Sequence, residues 1–320
     1  MTYDVSLATI ESVANNLANR IVRTPTVKYV GSPIPGLDDG ELYVKLELLQ
    51  HAGSFKARGA LNSIMNLDNP AAGVTAFSAG NHAIAVAFAA QQCGVSAKVV
   101  MPKTANPFRV ERCQYWGAEI VLGETIGDLM SIVELHQRQE QRVLVHPFEG
   151  ERTIQGAATV GLELCQDIPR LDAVVVPVGG GGLISGIASV VKQLQPDCLV
   201  IGVEPENAQG MASSRHAGEP LSSVSVNTIA DSLGAPMHLP NSFALVQQHV
   251  DELVQVSDDQ LRDAMRLMHK ELKLAVEPAC SAAMAALHGP LKNRLHAKRI
   301  AIIACGSNID IQTYSQHVLS

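Results

Sequence analysis

Charge is scarce in this sequence. Asp, Glu, Lys and Arg together make up 17% of the 320 residues, below the roughly 25% of an average globular protein. We therefore expect much of the chain to be buried. The net charge of −7 gives no sign of the basic surface by which proteins bind nucleic acid or anionic membranes, and we expect neither kind of partner.

Paired cysteines and long apolar runs are missing as well. The six cysteines form no CxxC pair, so apart from Cys305 they indicate buried thiols in a reducing cytosol. No apolar run reaches the ~18 residues that a membrane-spanning helix needs. The first twenty residues carry early acidic side chains and lack the pattern of a signal peptide. The sequence therefore predicts a cytoplasmic location.

What the sequence does contain is a regular alternation of strand and helix patterns. Strands are predicted at residues 41–48, 74–77, 97–101, 118–122, 142–146, 172–178, 198–204, 252–256 and 299–305. Helical patterns such as NHAIAVAFAAQQCG separate them. This alternation predicts an α/β fold of open, twisted, parallel-rich sheets with helices on both faces. The length favours two domains.

Three turns of small residues follow predicted strands. They are SAGNH (78–82), GGGG (179–182) and CGSN (305–308). In open α/β sheets, ligands bind beyond the carboxyl ends of the strands. We therefore expect these three turns to build one site.

Lys56 lies in the unusual setting GSFKARGA (53–60). The segment predicts a helix that Ser54 caps, with Lys56 in its first turn. A cation there opposes the helix dipole, which favours the neutral amine or an imine and suits Schiff-base chemistry. The alternative is an ordinary surface lysine.

The segment VVVPVGGGGLISG predicts a strand, a glycine turn and a helix. Such a turn directs backbone N–H groups at an anion, and the helix dipole adds to the attraction. One alternative is a dinucleotide site, since Gly180, Gly182 and Ser185 stand where GxGxxG places its glycines and Glu204 closes the next strand. A tight turn in a non-catalytic binding module is another.

Taken together and in this order, GSFKARGA, SAGNHA, VPVGGGGLISG, GVEPENA and CGSN resemble the fold-type II pyridoxal-phosphate enzymes. The serine/threonine dehydratase and serine racemase group is the most similar branch. The resemblance implies a two-domain fold like that of the tryptophan synthase β chain. The large cofactor-binding domain would comprise residues 1–49 and 149–320, and the small domain residues 50–148. The resemblance also implies that the enzyme is a homodimer.

The resemblance assigns roles to single residues. Lys56 matches the Schiff-base lysine, Phe55 the residue that flanks the cofactor ring, and Asn81 the donor to the cofactor 3′-oxygen. Cys305 stands where many relatives place a serine beside the pyridine nitrogen. The phosphate cradle would comprise Gly179, Gly180, Gly181 and Gly182. The loop that receives the substrate carboxylate would comprise Ser78, Ala79, Gly80, Asn81 and His82.

The implied reaction is β-elimination of water from a 3-hydroxy amino acid, giving a 2-oxo acid and ammonia, with pyridoxal 5′-phosphate as cofactor. L-serine or L-threonine is the expected small substrate. The alternatives are 3-hydroxyaspartate, a hydroxyectoine-derived amino acid, or racemisation of serine. An NAD(P)-dependent dehydrogenase is the alternative from a different class.

Two positions depart from the pattern of the group. Glu204 and the Ala208 carbonyl match two ligands of a divalent cation, but position 210 is a glycine, so the second carboxylate is missing. A hard cation prefers six or more oxygens, so we expect no strong divalent site and leave a monovalent cation as the alternative. Ala79 stands where the racemases carry a serine hydroxyl.

Overall fold

The computed structural model describes residues 3–320 and contains two separate β-sheets. The strands are β1 (Thr26–Lys28), β2 (Glu41–Lys45), β3 (Val74–Phe77), β4 (Ala97–Pro102), β5 (Glu119–Gly123), β6 (Val143–Leu144), β7 (Ala173–Pro177), β8 (Leu199–Pro205), β9 (Glu252–Val256) and β10 (Arg299–Ile303). Each predicted strand is present, as β2 to β10. The short β1 has no apolar alternation and was not predicted.

The larger sheet has the strand order β1-β2-β10-β7-β8-β9. β1 pairs antiparallel with β2, and the other neighbours are parallel. Ile300 lies opposite both Leu42 and Ala173, so β10 joins segments that are far apart in sequence. All residues of β7 are buried, as expected for a parallel strand covered on both faces.

The smaller sheet has the order β5-β4-β3-β6, and all its pairs are parallel. It comes from one continuous stretch of chain between β2 and β7. The predicted parallel-rich α/β fold class is therefore confirmed. The second sheet is formed by residues that lie, in the sequence, between strands of the first. The domain boundaries at residues 49/50 and 148/149 stay a prediction.

The helices are α1 (Leu7–Leu17), α2 (Lys56–Met65), α3 (Asn81–Cys93), α4 (Pro107–Tyr115), α5 (Ile126–Glu140), α6 (Glu151–Asp167), α7 (Gly182–Leu194), α8 (Gly210–Ala217), α9 (Pro240–His249), α10 (Asp258–Leu272), α11 (Pro278–His288) and α12 (Ile311–Leu319). In α3, α7 and α11 the first ten residues are all buried. Helices that are buried on all sides need apolar residues all round, which accounts for the low charge content. Within residues 3–320, no helix is long and apolar enough to cross a membrane.

The hydrophobic side chains form two main cores. One surrounds the larger sheet and includes Val175 and Ile302, and the other surrounds the smaller sheet and includes Val99. Val13 and Leu17 of α1 belong to the second core. The N-terminal helix therefore contributes side chains to the core around the smaller sheet, and it also packs against α6.

Strand β2 is shorter than the sequence predicts, and the reason is electrostatic. The apolar pattern extends to residue 48, but the strand ends at Lys45 and residues Glu47–Leu49 form a 3-10 helix. Glu47 is fully buried and receives two hydrogen bonds from Arg58, both of 2.8 Å. The chain leaves the sheet where this carboxylate turns inward.

Arg58 is the centre of a buried ionic network that joins α2 to α6 and β2. Besides Glu47, its guanidinium donates to Glu163 Oε1 at 2.7 Å and to Oε2 at 2.9 Å. Lys45 Nζ donates to the same Glu163 at 2.7 Å. Burial alone would raise the pKa of Glu163, but hydrogen bonds and the charges of Arg58 and Lys45 lower it. The network thus pairs two buried cations with two buried carboxylates, and the partly exposed Asp167 lies 3.7 Å from Lys45 Nζ at its edge.

Two glycines let the same helices touch. A Cβ on Gly59 would lie 2.7 Å from the carbonyl oxygen of Thr153, and one on Gly156 would lie 2.6 Å from Gly59 Cα. Neither contact leaves room for a side chain. The small residues around Lys56 are therefore explained by the close crossing of α2 and α6.

We predict that Arg58→Met strongly destabilises the protein, by about 3–5 kcal/mol, because it leaves Glu47 and Glu163 buried without their cation. The midpoint of urea denaturation measures this. Arg138→Met is the matched control, since the Arg138–Glu134 pair is exposed and exposed pairs contribute about 0–1 kcal/mol. Equal midpoints for the two variants would contradict this role of Arg58.

Candidate active site

The three small-residue turns lie at the carboxyl ends of β3, β7 and β10. The first and third are in contact, because Asn308 Nδ2 donates to Asn81 Oδ1 at 2.6 Å. Gly306 forms a β-bridge with Ser54, two residues before Lys56. The second turn packs on Phe148, whose neighbour Pro147 accepts a hydrogen bond from Lys56. The structure therefore brings the turns together around Lys56.

Lys56 is the first residue of α2, as predicted, and its side chain is directed inward. Its Nζ donates to the carbonyl oxygen of Pro147 and lies 5.0 Å from the centre of the Phe55 ring. Burial lowers the pKa of Lys56 to about 8. With this pKa about a tenth to a fifth of the amine is neutral at about pH 7 to 7.4, far more than for an ordinary surface lysine with a pKa of ~10.4.

The predicted cap of this helix is wrong. Phe55 occupies the N-cap position, and Ser54 is extended because its backbone pairs with Gly306. In the described part of the chain the buried Ser54 Oγ has no hydrogen-bond partner. The start of α2 is thus fixed by the bridge to the β10 turn and by Arg58, rather than by a capping side chain.

The glycine turn leads from β7 into α7. Gly181, at the N-cap position, has a φ of 93°, which side chains rarely adopt. Among the hydrogen bonds of residues 3–320, none is donated by the N–H groups of Gly180, Gly181 or Gly182. Free N–H groups at the positive end of a helix dipole form an anion site.

The 78–82 turn opens α3. Ser78 Oγ accepts a hydrogen bond from Gly80 N at 3.1 Å, so this hydroxyl is turned back onto its own loop. His82 is buried, and its Nε2 lies 2.8 Å from the Val145 carbonyl oxygen. Burial lowers the pKa of His82 to about 3. Its imidazole is therefore neutral and holds the loop in place.

Cys305 lies just beyond β10 and is buried. Its carbonyl oxygen accepts from Phe55 N at 3.1 Å, which places it beside the start of α2. A hydrogen bond with Cys280, together with burial, holds the pKa of the Cys305 thiol well above its usual range. This group is a neutral thiol.

Comparison with known proteins decides the family. The sequence profile of the family described as "Pyridoxal-phosphate dependent enzyme" matches residues 17–306. The chain belongs to this family. It is a fold-type II pyridoxal-phosphate enzyme of the dehydratase and serine racemase group. The match decides against the dinucleotide site that the glycine turn left open.

Relatives of known activity support the assignment. The chain is 50% identical to the phenylserine dehydratase of Ralstonia pickettii over 288 residues, which cover 89% of this chain and 87% of that one. It is 37% identical to the L-threonine ammonia-lyase of Thermotoga maritima, over 96% of this chain and 76% of that one. The structure of maize serine racemase superposes with a TM-score of 0.91 at 35% identity, covering 99% of this chain and 98% of that one.

The residues of this fold-type II enzyme fit pyridoxal phosphate. The cofactor needs an amine for its aldehyde, and Lys56 offers one with a lowered pKa. It needs donors for its phosphate, and the turn at Gly179–Gly182 offers free N–H groups. A Cβ on Gly180 would meet the ring of Phe148, and one on Gly181 would lie 2.7 Å from Met211. The cradle therefore depends on glycine.

The carboxylate of Glu204, which was predicted to bind a cation, is hydrogen-bonded to backbone N–H groups. Its two oxygens accept from Met211 N at 2.7 Å and Ala212 N at 2.9 Å, so it caps α8. Burial raises its pKa to about 7, although these hydrogen bonds lower it. Within residues 3–320 no group of three acidic, His or Cys side chains could hold a metal ion. The cation site at Glu204 and Ala208 stays a prediction.

The sequence motifs missed Glu277, which lies in the centre of the site. Its Oε1 accepts from Asn81 Nδ2 at 2.5 Å, and the residue is fully buried. Arg109 was also missed; it donates to Asp231 and to the Asn308 carbonyl oxygen. A usable signal was present for Glu277: it is the lone charge in the apolar segment AVEPACSAAMAAL.

We predict that Lys56 is the residue that the cofactor aldehyde modifies. Incubation of the apoprotein with pyridoxal phosphate, borohydride reduction and peptide mapping should place the label on Lys56. Because only a neutral amine reacts, labelling should rise with pH around a midpoint near 8, instead of continuing to rise toward the ~10.4 of an exposed lysine. A label on another lysine would contradict the assignment.

Proposed function

We propose that this enzyme catalyses β-elimination of water from a 3-hydroxy amino acid, releasing a 2-oxo acid and ammonia. The observation that carries the proposal is the Lys56 amine, whose pKa of about 8 suits it to exchange protons near neutral pH. The dehydratases among the relatives support the same reaction.

In this proposal each part of the site has one task. The amine of Lys56 would hold the cofactor aldehyde, and Phe55 would lie beside the ring. The phosphate would be held by Gly179, Gly180, Gly181 and Gly182, and Cys305 would lie near the pyridine nitrogen. Asn81 would donate to the 3′-oxygen, and the loop from Ser78 to His82 would receive the substrate carboxylate with its backbone N–H groups.

Bound pyridoxal phosphate supplies an electron sink for the α-carbon of the substrate. The protein supplies the proton transfers and the orientation. The Lys56 amine would accept the α-proton of the substrate. The neutral Cys305 thiol would be only a weak donor beside the ring nitrogen, which would favour loss of the hydroxyl group over transamination.

The identity of 50% to a phenylserine dehydratase supports an aromatic substituent on the β-carbon of the substrate, and aromatic side chains cluster around Pro147, which accepts from Lys56. Phe148 packs edge-on against His146 with ring centres 4.7 Å apart, and Phe77 does so at 5.7 Å. Burial lowers the pKa of His146 to about 4, so this imidazole is neutral and able to pack against a phenyl ring. A 3-phenylserine substrate is therefore proposed beside L-serine and L-threonine.

The remaining expectations also belong to the proposal. The enzyme acts as a homodimer in the cytoplasm, and a monovalent cation is its only candidate metal. Serine racemase activity is the second candidate function, and the likeness to maize serine racemase favours it. Ala79 disfavours it, because racemisation needs an acid/base group on each face of the α-carbon.

A substrate panel tests the main proposal. We expect the holoenzyme to release ammonia and the matching 2-oxo acid from at least one of L-serine, L-threonine and L-3-phenylserine. Phenylserine should have the highest kcat/KM if the aromatic side chains line the substrate pocket. Phe148→Ala should then reduce kcat/KM for phenylserine more than for serine. No elimination from any 3-hydroxy amino acid, including 3-hydroxyaspartate, would refute the proposal.

We also predict that the enzyme is a poor racemase. L-serine should give pyruvate with only trace D-serine, because Lys56 protonates one face and Ala79 has no exchangeable proton for the other. Ser78 does not replace it, since its hydroxyl is bonded within the loop. Ala79→Ser should raise D-serine formation relative to pyruvate, as chiral chromatography would measure. D-serine formed by the unmodified enzyme as fast as pyruvate would overturn the prediction.

A further inference from the structure

The Asn81 side chain lies in a hydrogen-bond network that fixes both ends of its amide. Its Oδ1 accepts from Asn308 Nδ2 at 2.6 Å, and its Nδ2 donates to Glu277 Oε1 at 2.5 Å. All three residues are buried. The two ends of an amide have nearly the same shape, so only such partners decide which end faces which way.

A backbone carbonyl group determines which end of each amide in this network donates and which end accepts. Asn308 Nδ2 also donates to the Ala52 carbonyl oxygen at 2.7 Å. A carbonyl oxygen cannot donate, so Asn308 must present its NH₂ end to Ala52, and hence an N–H to Asn81 as well. Reversing the Asn81 amide would place two NH₂ groups against each other.

Glu277 fixes the same direction from the other side. It occupies the N-cap position of α11, but its side chain accepts no hydrogen bond from that helix and reaches Asn81 instead. A Cβ on Gly306 would lie 2.9 Å from Glu277 Oε1, which shows how closely the backbone of the β10 turn confines the carboxyl group. Burial raises the pKa of Glu277. Both protonation states of a carboxyl group retain an acceptor oxygen for Asn81.

The second N–H of Asn81 makes only a long hydrogen bond, of 3.4 Å, to Ser232 Oγ. A bound acceptor at this side of the amide could replace that weak bond. In the described chain, the second oxygen of Glu277 has no hydrogen-bond partner, and Arg109 Nη2 lies 3.9 Å from it. The carboxyl group is thus held by the charge of Arg109, by its bond to Asn81 and by packing.

We propose that Glu277 is a positioning residue for the cofactor: together with Asn308, it holds the Asn81 amide so that one N–H stays directed to the cofactor 3′-oxygen. This rests on the proposed function, in which Asn81 is that donor. Without Glu277, Asn308 alone opposes reversal of the amide, so a larger fraction of the protein turns Oδ1 of Asn81 toward the 3′-oxygen. Two acceptors would then face each other, which weakens cofactor binding and disfavours the tautomer with charge on that oxygen.

Equilibrium titration of the apoprotein with pyridoxal phosphate tests this inference. Glu277→Leu removes the acceptor and should raise the cofactor Kd about tenfold, the equivalent of one buried hydrogen bond. It should also move the visible absorption band of the bound cofactor to shorter wavelength. Glu277→Gln keeps a carbonyl oxygen for Asn81 and is the matched control, with a Kd within about threefold of the unmodified protein.

A double-mutant cycle separates positioning from mere structural support. In an Asn81→Ala background, Glu277→Leu should have almost no further effect on Kd, because both changes remove the same contact. If Glu277→Leu does not fold, Asn308→Ala provides the second arm, with the same expected rise in Kd and the same band shift. Circular dichroism of the apoproteins confirms that the variants compared are folded.

Three results would overturn the inference. The first is an unchanged Kd and absorption band in Glu277→Leu, or in Asn308→Ala where that variant is used. The second is an effect of Glu277→Leu on Kd that persists undiminished in the Asn81→Ala background. The third is failure of the unmodified protein to bind pyridoxal phosphate; in that case the proposed function fails, and the inference fails with it.

Discussion

The buried charge balance around Arg58 is the constraint on which the site depends. Arg58 ties the first turn of α2 to Glu47 beyond β2 and to Glu163 of α6. Isolated charges at such depth would be strongly unfavourable, so the four charged groups have to be arranged together. That arrangement ends β2 early, brings α2 against α6 at their two glycines, and so fixes where the Lys56 amine lies.

The ionisable groups around that amine share one electrostatic character. Burial disfavours the charged forms of Lys56, His82 and His146, and the hydrogen bond that the Cys305 thiol donates to Cys280, together with burial, keeps that thiol neutral. Arg109 is an exception: burial alone would lower its pKa, but its bond to Asp231 raises the pKa and keeps the guanidinium charged. The protein presents neutral donors and acceptors at fixed positions, which is how preorganised sites stabilise charge that develops during a reaction.

Much of this could be predicted from the sequence, because local patterns carry it. Strands β2 to β10 follow from apolar runs, and the glycine turn and Lys56 follow from residues that are close in sequence. The network around Asn81 could not be predicted in the same way. Glu277 and Asn308 lie far from Asn81 along the chain. They come within hydrogen-bond distance only because the segments before α11 and after β10 pack against the start of α3. The predicted cap of α2 was wrong for a related reason, because the backbone of Ser54 pairs with Gly306, which is far away along the chain.

The position of β10 has a consequence for how the enzyme is made. The smaller sheet is contiguous in the chain, so it can form as soon as its residues have left the ribosome. The larger sheet cannot, because its second and fourth strands, β2 and β7, meet only across β10, which is synthesised near the end. Non-local pairing of this kind is slow to form. The groups that make Lys56 reactive are therefore assembled last, and the nascent enzyme carries an ordinary lysine until its final strand is in place.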